Sequence, residues 1–103
     1  MVSIVVSKEA RKDLVSIRAY IRDELCNPDS AKRIIKEIKK KIISLSELPD
    51  RGTPLDALIT VHTDFRYLVC ERYVVFYLSS QTSVEIVRIL HERQDYLGAL
   101  FLK

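Results

Sequence analysis

Hydrophobic positions change their spacing twice along this chain. Between residues 8 and 48 they recur at helical intervals. Between 65 and 90 they come in compact runs. Ala10, Leu14, Ile17, Ile21 and Leu25 share one helical face, while Lys8, Arg11, Lys12, Arg18 and Arg22 fill other positions. The spacing predicts an amphipathic helix that stops near Cys26, where Asn27 and Pro28 follow. Asn27 suits a helix N-cap, Pro28 the first helical position and Asp29 the first turn. A second helix is therefore expected from Pro28 to Leu48, with Ala31, Ile34, Ile35, Ile38, Ile42 and Leu45 as its apolar stripe. Before the first helix, Val2 to Val6 reads as a short strand, and Ser7 as an N-cap.

Three strands are expected in the second half: Phe65 to Cys70, Tyr73 to Leu78 and Val84 to Leu90. The middle run, Tyr-Val-Val-Phe-Tyr-Leu, is almost wholly β-branched or aromatic, which suits a central strand buried on both faces. Pro49-Asp50-Arg51-Gly52-Thr53-Pro54 is the strongest breaker and separates helices from strands. Leu55 to Thr63 is ambiguous, and Ile59 to Val61 fits either an extension of the first strand or a separate short piece. Glu71-Arg72 makes a two-residue hairpin loop without the Gly or Asn that the favoured turns select. Tyr96 to Phe101 reads as a short helical turn.

Neither helical stripe can remain in water, and the sheet is the one surface able to cover both. The fold class is accordingly α+β, in the order β-α-α-β-β-β. A mostly antiparallel four-stranded sheet has the N-terminal strand at its edge, the helical hairpin on one face and a short C-terminal helical turn. One domain, residues 1–103, accounts for the chain.

Composition narrows the setting. No apolar run approaches the ~20 residues a membrane span needs. The N-terminus has neither the basic region nor the cleavage site of a signal peptide. A cytoplasmic, membrane-free protein is expected. Cys26 and Cys70 read as reduced, buried small hydrophobes. Net charge is only +3, but residues 1–45 carry eleven Lys/Arg against six Asp/Glu, and residues 46–103 six against eight. The basic half suits an acidic partner, nucleic acid or protein, and equally suits a solvated helix face.

Metal, phosphate-loop and dinucleotide patterns are missing, and no cofactor is expected. The residues left for chemistry are Arg66, Arg88, His91, Arg93 and Tyr96, gathered towards the ends of the strands. His91 has the pKa range of a general acid or base, and arginines can hold a phosphodiester. That is a minimal set for metal-free RNA cleavage. Strand alternation places Arg88 with Val84, Ile86 and Leu90, and His91 on the opposite face, so a shared site needs a bulge or an early strand end. The structural alternatives are an Arg88 ion pair with Asp64 or Glu71, a His91 satisfied at the strand end, and a Tyr96 in the core or a lid.

The ordered set Ser7, Ala10, Asp13-Leu14, Ile17, Tyr20-Ile21, Ala31, Leu48-Pro49, Gly52, Phe65-Arg66-Tyr67-Leu68, Tyr73 to Tyr77 and Arg88-Ile-Leu-His-Glu-Arg-Gln-Asp95 resembles the RelE/ParE superfamily of type II toxin–antitoxin modules. The resemblance implies the same β-α-α-β-β-β layout and two alternative activities. RelE-like toxins cleave messenger RNA on the ribosome without metal; on that branch the catalytic set is Arg66, His91, Arg88, Arg93 and Tyr96. ParE-like toxins act against DNA gyrase and have no known need of those side chains. The lysines that RelE-like toxins place before the Arg66 strand are missing, since Ala57 to Val61 contains only Ala, Leu, Ile, Thr and Val. The phrase Arg-Ile-Leu-His-x-Arg-x-Asp also favours the ParE branch. A third alternative is a degenerate, non-toxic binding module of the same fold. The resemblance further implies a cognate antitoxin. Its acidic segment is expected on the basic hairpin surface, at Arg18, Arg22, Lys32, Arg33, Lys36, Lys39 and Lys40, and either a homodimer or a hetero-oligomer with the antitoxin is compatible with it.

Overall fold

The structure is a computed structural model that describes residues 1–101. The chain begins with strand β1 (Ser3–Val6) and turns into helix α1 (Lys8–Ala19), which continues as a wide π-turn over Tyr20–Glu24. Helix α2 (Pro28–Ser44) returns antiparallel to it. After the breaker come β2 (Thr53–Pro54), a 3₁₀ turn (Leu55–Ala57), β3 (Arg66–Cys70), β4 (Tyr73–Ser79), β5 (Ser83–His91) and helix α3 (Tyr96–Phe101). The sheet order is β1-β5-β4-β3-β2. β1 runs parallel to β5 and all other neighbours are antiparallel.

Local chemistry sets the helix ends. Ser7 Oγ accepts the Ala10 amide at 3.0 Å and donates to the Val87 carbonyl at 2.8 Å, so one hydroxyl caps α1 and ties it to β5. Asn27 Oδ1 accepts the Ser30 amide at 3.1 Å, with Pro28 at the first helical position. The first helix closes on Cys26 at φ 51°, a left-handed C-terminal stop. The wide turn before it rotates Leu25 off the expected stripe, and Leu25 is 56% exposed. Cys26 is exposed as well, which corrects its expected burial; Cys70 is buried, and both are free thiols. α2 ends at Ser44, short of Leu48, as Ser44 and Ser46 hydroxyls donate to the Lys41 and Ile43 carbonyls. Leu45 still reaches the core, whereas Leu48 lies outside it.

Among the described residues the sheet has five strands where four were expected. The fifth, β2, comes from the breaker itself: Thr53 and Pro54 pair with Tyr67 and Arg66. A proline is tolerated there because an edge position needs no donor towards solvent. Ile59 to Val61 adds no strand. At the β3–β4 turn Glu71 takes φ 56°, the positive φ that glycine or asparagine would otherwise supply.

β4 carries the packing on both faces. Tyr73, Val75 and Tyr77 join Ile17, Ile21, Ile38, Ile42 and Leu45 beneath the helical hairpin. Phe76, with Leu55 and Leu90, forms a second, smaller cluster on the other face, covered by Phe65, Tyr67, Tyr96 and Leu100. Between the β4–β5 pairs Phe76↔Arg88 and Tyr77↔Ile86 one residue, Val87, is left over. This bulge reverses the alternation: Val84, Ile86 and Ile89 all reach the hairpin core, while Leu90 reaches the other.

Candidate functional site

The sequence offered two regions: polar residues at strand ends, and the basic hairpin. In the first, Arg88, Arg66, His91 and Tyr96 have separate local tasks. Arg88 Nε and Nη2 donate to the two carboxylate oxygens of Asp13 at 2.8 and 2.9 Å, and the Ile89 amide donates to Asp13 Oδ2 at 2.9 Å. β1 ends at Val6, so on that side β5 has no strand neighbour beyond Ile86. Asp13, from α1, takes over the exposed edge there. Side-chain exposure is 25% for Arg88 and 13% for Asp13, and the Asp13 hydrogen bonds with its charge hold the guanidinium pKa above the ordinary value. The partner is thus Asp13, in place of the expected Asp64 or Glu71.

Arg66 performs a second clamp. Its Nη1 donates to the Gly52 carbonyl at 2.7 Å and to the Asp50 carbonyl at 3.3 Å. The same loop is held from inside by Tyr77, whose hydroxyl accepts the Gly52 amide and donates to the Pro49 carbonyl, each at 2.8 Å. A Cβ on Gly52 would stand 2.5 Å from that hydroxyl, so the position requires glycine. Burial raises the Tyr77 pKa.

His91 lies at the other end of the sheet. Arg66 pairs with Tyr77 and His91 with Tyr73, four residues apart on β4, or roughly 13 Å of strand. The two do not line a common groove. His91 stands edge-on to the Tyr73 ring, with centroids 5.4 Å apart, and its Nδ1 accepts the Arg93 amide at 3.1 Å. Tyr96 belongs to the second core, stacked on Phe76 at 5.5 Å. Of the five, His91 and Arg93 share a groove, while Arg66, Arg88 and Tyr96 each lie elsewhere, so the set does not converge on one site.

The hairpin presents one continuous feature. Ile4 and Val6 of the edge strand, with Leu14, Val15, Ile35, Ile42 and Ile43, form an apolar groove rimmed by Arg11, Arg18 and Lys39. Its open volume is about 490 Å³. Through Arg18, Ile35, Lys39 and Ile43 it runs on into a strip that adds Lys32, Lys36 and Lys40. Val15 and Ile43 are 63% and 65% exposed, unusual for large aliphatic groups on α1 and α2. Of the seven cations expected on this surface, Arg18, Lys32, Lys36, Lys39 and Lys40 line the groove. Arg22 is instead bound to its neighbour Asp23 at 2.7 Å, and Arg33 reaches Glu71 on the β3–β4 turn at 3.0 Å. Arg11, Val15 and Ile43 were missed. Their signal was a second apolar line off the core stripe, on faces otherwise charged.

No helix among the described residues is long and apolar enough to cross a membrane. A family model described as the ParE toxin of the type II toxin–antitoxin system parDE matches residues 4–96. A solved chain described as the chromosomal ParDE TA system from P. aeruginosa shares the fold, with TM-score 0.73 and 19% identity over 88% of this chain and 96% of that one. No curated protein matches the sequence.

Proposed function

The chain belongs to the ParE toxin family of type II toxin–antitoxin systems, and from that premise we propose that it is a growth-arresting toxin of the cytoplasm that inhibits DNA gyrase and is silenced by a cognate antitoxin lying along the hairpin groove. The groove carries the antitoxin half of this reading. An acidic amphipathic segment that folds on binding needs an apolar floor and a cationic rim in register, and Ile35, Ile43 and Val15 with Arg18, Lys36 and Lys39 supply them. The open edge of β1, which among the described residues has β5 as its only strand neighbour, borders the same groove. An extended part of the segment can pair there.

The gyrase half is supported by what the polar residues already do. Arg66 and Arg88 are engaged with Gly52, Asp50 and Asp13, and His91 lies about 13 Å of strand away from the register position of Arg66. A metal-free ribonuclease needs its acid–base group and its charge-stabilising arginines around one phosphodiester. Binding to a protein target makes no such demand.

Controlled expression in bacteria tests the whole. The expected outcome is growth arrest with DNA-damage induction, intact messages, and loss of supercoiling by purified gyrase when the protein is added. In-frame cuts in translated messages that disappear in His91→Ala and Arg66→Ala would overturn the gyrase reading. For the antitoxin, selected by its rescue of growth, Lys39→Glu with Lys40→Glu should weaken binding by about tenfold and Ile43→Asp by more. Unchanged affinity in both variants would remove the groove from the interface.

A further inference from the structure

A second groove lies at the opposite end of the molecule from the Arg66 loop, where the π-turn of the first helix meets the β3–β4 turn and the residues after β5. It has an open volume of about 720 Å³. Its wall holds Arg72, Arg93, His91, Tyr20 and Tyr73 over Ile17, and among the described residues no carboxylate lines it. The peptide chains that bring the two arginines together are joined, because the Glu92 amide donates to the Arg72 carbonyl at 2.8 Å. Arg93 is exposed and its guanidinium makes no hydrogen bond or ion pair among the described residues. Arg72 Nη1 donates to Glu92 Oε1 at 3.3 Å in an exposed ion pair, which a bound phosphate would have to share or displace.

The histidine is oriented for one role here. Its Nδ1 accepts from the Arg93 amide, so in the neutral ring the proton sits on Nε2, a donor. The Tyr20 ring, 50% exposed at the mouth of the groove, offers a bare aromatic face. The groove thus combines hydrogen-bond donors of positive charge with a stacking surface and an apolar floor. Planar guanidinium forks match phosphate oxygens, and aromatic faces accept bases of any identity.

We propose that this groove is a nucleotide site that takes a nucleoside phosphate, with the phosphate between Arg93 and Arg72 and the base against Tyr20. The site is separate from the hairpin groove and stands independently of the gyrase reading. Two sources share this chemistry, a free nucleotide and one unit of a nucleic-acid strand.

The test is a ¹H–¹⁵N NMR titration of the full chain with adenosine 5′-monophosphate, inorganic phosphate, adenosine and a short single-stranded oligodeoxyadenylate. The monophosphate should shift Tyr20, Arg72, Arg93 and the His91 ring, and should bind at least about tenfold more tightly than phosphate or adenosine alone. Arg93→Gln should weaken it by about tenfold, and Tyr20→Leu should erase its advantage over phosphate while the melting temperature stays unchanged. An oligonucleotide that binds more tightly per site identifies the strand as the source, and equal affinity the free nucleotide; both support the site. Absence of shifts with millimolar monophosphate would overturn the proposal. So would equal binding of inorganic phosphate, or equal competition by a glutamate-rich peptide, which would make the groove a general anion or protein contact.

Discussion

The two faces of the sheet are built unequally. Among the described residues, the hairpin face is covered by two long helices and packs fifteen buried residues into one cluster. The opposite face has, among the described residues, the buried cluster Leu55, Phe76 and Leu90 beneath a 3₁₀ turn, a loop and α3. The difference shows where stability and recognition are placed. A helix pair that already buries its inner stripe in a dense core can afford apolar groups such as Val15 and Ile43 on its outside. The thinner face holds its cover with aromatic stacking and single hydrogen bonds, so it is the face expected to open first.

The largest effect should come from the centre of the dense face. Ile38 is fully buried. Ile38→Ala is expected to cost about 3–4 kcal/mol through lost burial and the cavity left behind. Tyr96→Ala, on the thin face, should cost about 1–2 kcal/mol, since Tyr96 is only partly buried. Urea unfolding measures both. If Tyr96→Ala proves as costly as Ile38→Ala, the two faces form one cooperative core and the comparison fails.

Next in size is the edge clamp. Asp13→Ala leaves the Arg88 guanidinium and the Ile89 amide without their acceptor in a half-buried setting, at a cost of about 2–3 kcal/mol. The gap opens between α1 and β5, so hydrogen exchange should rise at Ile89 and along α1 before it rises at Phe65 or Tyr67. Equal loosening of both faces would show that Asp13 serves global stability alone.

Most of the fold was legible in the sequence, and the errors share a physical origin. Periodicity located α1, α2, β3, β4 and β5 because each buries a regular face. It missed β2, since Thr53 and Pro54 bury no side chain and are held by backbone pairing alone. It misplaced Leu25 because one wide turn shifts the stripe. The Val87 bulge left no mark in the sequence, as valine suits a strand either way. The candidate site was less legible. Arg66, Arg88 and His91 are near one another in the reading of strand ends, yet an antiparallel meander sends successive ends to opposite sides of the sheet. Residue type announced the arginines, while only tertiary structure assigns Asp13, Gly52 and Asp50 as their partners.

Alkali and acid should separate the faces further. On the hairpin face, burial raises the pKa values of Tyr77 and Tyr73 above their ordinary 10.0 and that of Cys70 above 9.0. The fold keeps these groups protonated, so their contribution is whole below about pH 9 and is lost as pH rises through the raised values. Urea midpoints should fall from about pH 9 upward. Tyr77→Phe removes both clamp hydrogen bonds at a cost of about 1–2 kcal/mol near neutrality, and should flatten part of that alkaline decline. An unchanged slope would show that the hydroxyl titrates as freely in the folded chain as in the unfolded one.

The smallest effect belongs to the loop over the thin face. Asp56 Oδ1 accepts the Thr63 amide at 2.8 Å and the Thr63 hydroxyl at 3.1 Å, while Oδ2 lies 2.7 Å from His62 Nδ1. The Thr63 amide hydrogen bond, followed by the His62 and Thr63 side chains, lowers the Asp56 pKa below its ordinary 3.8. Its contribution is therefore present above about pH 4 and disappears as pH falls through the lowered value. The carboxylate faces solvent, so protonation should loosen residues 56–63 without unfolding the sheet. Below pH 4 the Thr63 amide should lose exchange protection while Val75 on β4 keeps its own. Asp56→Asn, which retains a carbonyl acceptor but cannot titrate, should hold Thr63 protection constant across that range. Simultaneous loss at Thr63 and Val75 would mean that the loop and the dense core unfold as one unit, and the inequality of the two faces would then be one of packing alone.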